Sequence, residues 1–436
     1  MNLRRTIDAT KAWITASCKH LLSLGLTHWL IAGALVITGV VIGEMISENK
    51  ILIGPRFWIY KNLQRISAHS PSYFDRTVVV QIGDEEFWKG DLARRSPLKR
   101  TYLSELLKKI NSANPAAIAV DIDLSSQTAD GSFIEHPDYR EEDATLLRTI
   151  NAICLERPVV LPRRLVSKKN ESSFLGHEHL EYGPLPALFD YYSFDSKAQA
   201  NLRVGFVSLP YDIRQVPLYL KMKDGSSVES FAAATARTVS NPAVEHARAE
   251  NLNGLPYGTF LAPWGTTLIG AGDLSRTETD ALKRLIEHKI VLVGGAWHEK
   301  AYREGPQVDT HLTPVGEISG VLVQANYIEA LLSRWTSRPL SKPLGVTVDV
   351  ALAAVIALIF AWNMRPWVKL VWATALSFVL ILITYVFWQN LGLFFDFSIP
   401  LFLLGSHTFV EKVRDWRHKS KAYDRLIKGE ISCAPL

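Results

Sequence analysis

Apolar positions follow two regimes along the chain. Between residues 344 and 410 they run together as Leu344–Trp362, Leu370–Trp388 and Leu391–Val410, broken only by Asn363–Lys369 and by Gln389-Asn390. Each run is close to the ~20 residues that a helix needs to cross a bilayer. A fourth run, His28–Ile46, is too long for a signal-peptide core and ends without a small-residue cleavage site, which predicts an uncleaved anchor. Arg4, Arg5, Lys11 and Lys19 precede it, and the excess of basic residues on the cytoplasmic side orients it. Residues 1–27 are then expected in the cytoplasm, 50–340 outside, and 411–436 inside again. Arg365 and Lys369, and the basic tail from Lys412 to Lys428, fall on the inner side of this scheme. Glu44, Asp349 and Asp396 lie near the outer ends of three runs. Acids at such depth are costly. They are expected either to form a polar junction between the spans or to reach the solvated interface.

Between residues 50 and 340 the apolar positions alternate with polar ones at the periods of helices and strands. Ile51–Ser67 predicts an amphipathic helix leading off the membrane, with Phe57, Trp58, Leu63 and Ile66 among Arg56, Lys61 and Arg65. Thr77–Ile82 predicts a buried strand, Lys99–Ile110 a helix and Ala117–Ile122 a second strand. Strand–helix–strand is the unit of a parallel sheet. Farther on, strands are expected at Val159–Leu161, Arg203–Leu209, Val216–Met222, Thr259–Leu261, Thr267–Gly270 and Lys289–Val293. Helices are expected through Ile153, at Val228–Val239, at Thr279–Glu287 and at Val321–Arg334. Asp224-Gly225 predicts a hairpin turn, and Ser167–Gly183 reads as polar and exposed. The expected fold class is a membrane protein: an extracytoplasmic α/β domain with a mainly parallel, Rossmann-like sheet, plus four transmembrane helices at 28–46, 344–362, 370–388 and 391–410.

Composition narrows the partners. The net charge of +5 and the 21% of charged residues do not call for nucleic acid, because the Lys and Arg cluster beside the apolar runs. Cys18, Cys154 and Cys433 fit no zinc spacing, and only Cys154 lies between 50 and 340. A disulfide within that region is therefore impossible.

Five stretches, in order, carry a family resemblance: Val78–Asp84, Ser96–Arg100, Ala117–Asp123, Gly205–Val207 with Asp212–Leu218, and Ile290–Gly294 followed by Asp309, Thr313-Pro314, Gly316, Gly320-Val321 and Ala325-Asn326. Together they resemble the CHASE2 extracellular sensory domain of bacterial transmembrane receptors, over about residues 55–340. One departure is Ile213, where the family usually carries glycine between the Asp and Arg of the central hairpin. The resemblance implies a receptor-like protein of a bacterial inner membrane, with one span before the domain and three after it. Family members commonly continue into a kinase or cyclase. After Val410 this chain has room for one or two helices, so a separately encoded cytoplasmic effector is expected.

Asp84, Asp121 and Asp123 follow the carboxyl ends of two strands, where open α/β sheets bind ligands. They would hold a cation or an amine, or else cap helices and tie down loops. Trp88, Arg95, Arg100 and Asp309 are candidates for the same crevice, Arg for anions and Trp for a planar face. Asp121-x-Asp123-x-Ser125 also matches three residues of a phosphatase nucleophile motif, without its later partners. Gly294-Gly295 lacks the spacing of a dinucleotide fingerprint. His298, Glu299, Asp309 and His311 are metal-capable types without a metal-site spacing. No catalytic residue, metal site or cofactor is expected. The tail Glu411–Lys428 would dock a partner or lie on membrane lipid. The expected function is a non-catalytic sensor of a ligand or partner, possible as a homo-oligomer. The competing classes are a scaffold subunit and a pore-forming effector.

Overall fold

The computed structural model describes residues 53–66, 74–126 (except 91 and 93), 137–167, 174–175, 182–250 (except 223 and 224), 255–341 and 366–394, with scattered positions between 343 and 355 and at 417 and 420. The chain divides into two compact units, one of them Phe57–Pro339 together with Gly392–Phe394.

In that unit six strands form one all-parallel sheet. They are β1 Thr77–Ile82, β2 Ala117–Asp121, β3 Val159–Arg163, β4 Leu202–Phe206, β5 Thr267–Gly270 and β6 Ile290–Gly295, in the order β5-β1-β6-β2-β3-β4. The main helices of the chain are α1 Ile53–Ile66, α2 Arg100–Ser112, α3 Pro137–Cys154, α4 Phe231–Val239, α5 Ala271–Arg276, α6 Thr279–Ile286, α7 Gly320–Leu332 and α8 Pro366–Leu391. A parallel sheet is covered on both faces, so its central strands are continuous apolar runs. Side chains still alternate between the faces. Val78, Val80 and Ile82 join Ile118, Val120, Val291 and Val293 in one core with residues of α2, α3, α5 and α6. Val79, Ala119, Val160 and Leu292 are equally buried but point to the other face, where α4 and α7 lie.

That second face is built for close approach. A Cβ on Gly205 of β4 would meet the Phe231 backbone at 2.5 Å, and one on Gly294 of β6 would meet Val321 Cβ at 2.6 Å. All 13 residues of α7 are buried. Its polar side chains each find a partner, although Gln324 Oε1 and Glu329 Oε2 are buried without one among the described residues. Glu329 Oε1 accepts from Arg76 N (2.9 Å), Thr77 N (2.7 Å) and Thr77 Oγ1 (2.8 Å). Asn326 Oδ1 accepts from Leu261 N at 2.6 Å, and Tyr327 Oη donates to Ile213 O at 2.7 Å. Ahead of α7 runs the hairpin β7 Thr310–Thr313 and β8 Gly316–Ser319, and after it β9 Thr336–Pro339. β9 pairs antiparallel with Tyr257–Gly258 and parallel with β10 Leu393–Phe394.

The expected four-span membrane class is corrected by this structure. The class is α/β with a parallel sheet, and among the described residues one helix, Thr374–Leu391 within α8, is long and apolar enough to cross a membrane. Two expected boundaries fail for physical reasons. Gln389-Asn390, expected as a loop, is inside α8. The run starting at Leu391 does not open a helix there. Gly392 has φ +61°, which ends α8, and Leu393–Phe394 pairs with β9 as a strand. An apolar count registers hydrophobicity and is blind to this turn. The expected span 28–46 and residues 395–410 lie outside the described residues, as do Glu44, Asp349 and Asp396; 344–362 is described only at scattered positions.

Within the α/β unit β1 and β5 match expectation residue for residue, and the other elements agree within a few residues. Four local expectations differ. Ser227–Glu229 is a strand on Tyr219–Lys221, and Ser230 caps α4 by accepting from Ala233 N, so α4 starts later than its apolar pattern. Val216–Leu218 forms no strand; only Tyr219–Lys221 does. Thr259–Leu261 is likewise no strand; the adjacent Tyr257–Gly258 pairs instead. Phe174–Leu175 and Tyr182–Pro184, inside or against the stretch read as polar, pair with Leu209–Pro210 and Leu165–Ser167.

Candidate ligand-binding site

The carboxyl ends of β1, β6 and β2 bring Ile82, Gly295 and Asp121 to one edge of the sheet. The loops leaving that edge fix their own acids first. Asp84 accepts from His298 N at 2.7 Å and Arg303 N at 3.1 Å, and His298 Nδ1 lies 2.7 Å from its other contact oxygen, Oδ2. Burial disfavours the Asp84 charge, but these bonds outweigh it and hold its carboxyl below the usual carboxylate range. Glu86 ties Gly83 N to Gly272 N. Trp88 donates to His298 O at 3.0 Å, while Phe87 stacks on Trp297 with ring centroids 4.4 Å apart. Asp84 and Trp88 thus clamp the loop after β1 to the loop after β6.

Arg95, Arg100 and Asp123 serve the neighbouring corner. Arg95 Nη1 bonds Glu142 Oε1 at 2.6 Å, and Glu142 Oε2 accepts from Arg100 N at 3.0 Å. Arg100 Nε lies 3.5 Å from Asp143 and its Nη2 donates to Asp123 O at 3.2 Å. Burial lowers the Arg100 pKa and raises that of Asp143, each opposed by the other's charge. Asp123 accepts from Ser125 N and pairs with Arg164 at 2.9 Å. Arg100 pins α2, and Arg95 the loop before it, to α3, while Arg100 Nη1 is buried without a partner among the described residues.

Asp121 and Asp309 remain. Asp121 ends β2, and among the described residues no group donates to its carboxyl. Burial first, and the charge of Asp309 second, push it up to about 8. Asp309 has φ +53° and a mostly exposed side chain. Its carbonyl accepts from Gly320 N at 2.7 Å, its Oδ1 lies 2.7 Å from His311 Nε2, and its Oδ2 would sit 1.7 Å from a Cβ at residue 320. The carboxylate therefore rests on the bare Cα that opens α7, a favourable place for negative charge. Gln81 donates to Ser319 Oγ at 3.2 Å beside it. The structure thus leaves Asp121 within the electrostatic reach of Asp309 and assigns Asp84, Trp88, Arg95, Arg100 and Asp123 to internal contacts. Sequence reasoning had placed the acids near the edge. It missed His298 and His311 as their partners, although both were visible as ionisable residues in the same loops. Among the described residues no group of three or more His, Cys, Asp or Glu could hold a metal ion.

A second polar centre surrounds Arg214, which is 1% exposed. It grips Asp212 through Nε–Oδ1 at 2.9 Å and Nη2–Oδ2 at 2.7 Å. The rings of Tyr60, Tyr257 and Phe394 lie 5.4, 5.4 and 5.6 Å from its guanidinium carbon. Arg214 O accepts from Gly258 N, and Gly258 O from Tyr60 Oη. Compared with known families, the chain matches the CHASE2 domain over residues 33–382.

The chain belongs to the CHASE2 family.

CHASE2 domains are typically extracellular sensors in membrane proteins. No curated protein and no solved structure matches the chain. Within this CHASE2 domain the Asp212-Ile213-Arg214 turn is a structural centre: Ile213 is buried and its carbonyl is the acceptor for Tyr327 of α7.

Proposed function

We propose that this chain is a non-catalytic sensor whose CHASE2 domain takes up a cationic or amine-bearing small ligand at Asp121 and Asp309 and relays its state to a separate cytoplasmic effector protein. The observation that carries the site is the Asp121 carboxyl, held at the carboxyl edge of a parallel sheet beside a second acid and without a donor among the described residues. Ligands of open α/β sheets bind at this edge. An arriving cation would favour the ionised Asp121 and remove the repulsion between the two acids.

A continuous set of contacts supports the relay. Gly320, against Asp309, opens α7. Tyr327 of α7 bonds Ile213 O, and Arg214 next to it faces the Phe394 ring. Phe394 follows Leu391, the last residue of the apolar helix α8, by three positions. A change at the first turn of α7 therefore has a packed route as far as Phe394.

Isothermal titration of the purified chain with a panel of primary amines and divalent cations tests the site. Saturable binding lost in Asp121→Asn supports it, and binding that survives both Asp121→Asn and Asp309→Asn overturns it. Copurification of a cytoplasmic protein whose association changes with that ligand tests the relay separately.

A further inference from the structure

We propose that the outer face of α1 lies on the surface of an anionic lipid bilayer. The inference does not depend on the sensing site. The inner face of α1 is fixed by packing: Phe57, Tyr60, Leu63 and Gln64 are buried, at the spacing of one helical stripe. Tyr60 anchors this face through its bond to Gly258 O and its edge contact with Phe394, ring centroids 5.0 Å apart. The opposite stripe carries Trp58, 66% exposed, Ile66, 57% exposed, and the exposed Arg65, with the half-buried Lys61 at its border. Trp beside Lys and Arg is the composition of a helix lying in a membrane interface.

Charge selects the lipid. The helix sequence IGPRFWIYKNLQRI carries no acid; of its three basic residues Arg65 is exposed, Lys61 half-buried beside the outer stripe, and Arg56 half-buried on the inner side. Basic residues at a bilayer surface favour anionic headgroups. Position in the chain brings that surface within reach. Phe394, against Tyr60, lies three residues beyond Leu391, and three residues span at most about 11 Å. Leu391 ends the one described helix that is long and apolar enough to cross a membrane. The inner face of α1 thus packs against a residue that the chain ties to that helix, and the outer face carries the aromatic and basic stripe.

The test uses the full chain in lipid nanodiscs. A nitroxide is placed at residue 58 (Trp58→Cys) and, as a control, at the exposed Tyr211 (Tyr211→Cys), with Cys18→Ser and Cys433→Ser in both; Cys154 is buried. Collision rates with oxygen and with the water-soluble complex Ni(EDDA) report depth. The expected result, in discs containing phosphatidylglycerol, is a several-fold lower Ni(EDDA) rate and a higher oxygen rate at 58 than at 211. Lys61→Gln with Arg65→Gln should move the label back toward water. Equal Ni(EDDA) rates at 58 and 211 overturn the proposal. So does protection at 58 that persists in lipid-free amphipol with spin–spin broadening, which assigns the face to a second copy of the chain. Protection unchanged in pure phosphatidylcholine and in the charge-removed variant overturns the anionic preference. If the label at 58 disturbs folding, quenching by dibrominated phosphatidylglycerol, compared between the native chain and Trp58→Phe, gives the same readout: loss of a quenched component in Trp58→Phe supports contact, and identical quenching overturns it.

Discussion

Arg214 and Asp212 form a two-pronged pair inside a ring of aromatic side chains, with Nε–Oδ1 at 2.9 Å and Nη2–Oδ2 at 2.7 Å. The guanidinium is 1% exposed, so its charge has no water to fall back on. Removing one partner of such a pair is far worse than removing both, and the cost of breaking it is about 3–5 kcal/mol. Asp212→Asn is expected to lower the melting temperature sharply, and Asp212→Asn with Arg214→Met to recover part of the loss. Thermal unfolding of the four proteins of this cycle measures the coupling. Additive single effects would show that the pair is not a unit.

Glu329 is an acceptor more than a charge. Its Oε1 takes three donors from Arg76 and Thr77 at the start of β1, and burial raises its pKa. Glu329→Gln keeps a carbonyl oxygen and is expected to be nearly neutral. Glu329→Ala leaves buried N–H groups without a partner, at roughly 1–3 kcal/mol for each. Urea midpoints of the two variants distinguish the roles; a Gln variant as damaged as the Ala variant would mean that the negative charge is needed.

Asp121 predicts a pH dependence whose sign follows from its raised pKa. Burial pushes its carboxyl up from the ordinary 3.8 to about 8. The folded state therefore holds its proton more tightly than the unfolded one, and stability falls with rising pH. The contribution is complete below about pH 4 and is lost progressively as pH climbs through about 8. Asp121→Asn mimics the protonated form. It should raise the melting temperature only slightly near pH 5 and by much more near pH 9. A variant that is equally stabilised at both pH values would show that Asp121 is ionised throughout.

Gly294 lets α7 close on β6. A Cβ there meets Val321 Cβ at 2.6 Å. Gly294→Ala is expected to cost about 1–3 kcal/mol, the range for an extra methyl in a packed core, and Val321→Ala should relieve it. The melting temperature of the double variant, compared with each single one, checks the contact. No relief would place the strain elsewhere.

Much of the α/β domain was legible in the residues. Thr77–Ile82 and Ala117–Asp121 are apolar and β-branched because both faces of a parallel sheet are buried, and that pattern is local. The carboxyl edge followed, since any acid after such a strand lands there. Which acids are available for a ligand was not legible. Asp84 is engaged by His298, 214 residues away, and the charge that acts on Asp121 comes from Asp309, in a loop far along the chain.

The sequence by itself determined the class of the sheet and its apolar strands, because burial and periodicity are written residue by residue, and five stretches carried the family resemblance. Only the tertiary structure decided the rest. Leu391–Phe394 reads as the start of an apolar span, yet Gly392 turns the chain and β9 offers an edge, so Phe394 becomes a wall of the Arg214 box. Backbone pairing and the burial of a distant charge are long-range facts. Hydropathy along the chain has no term for them.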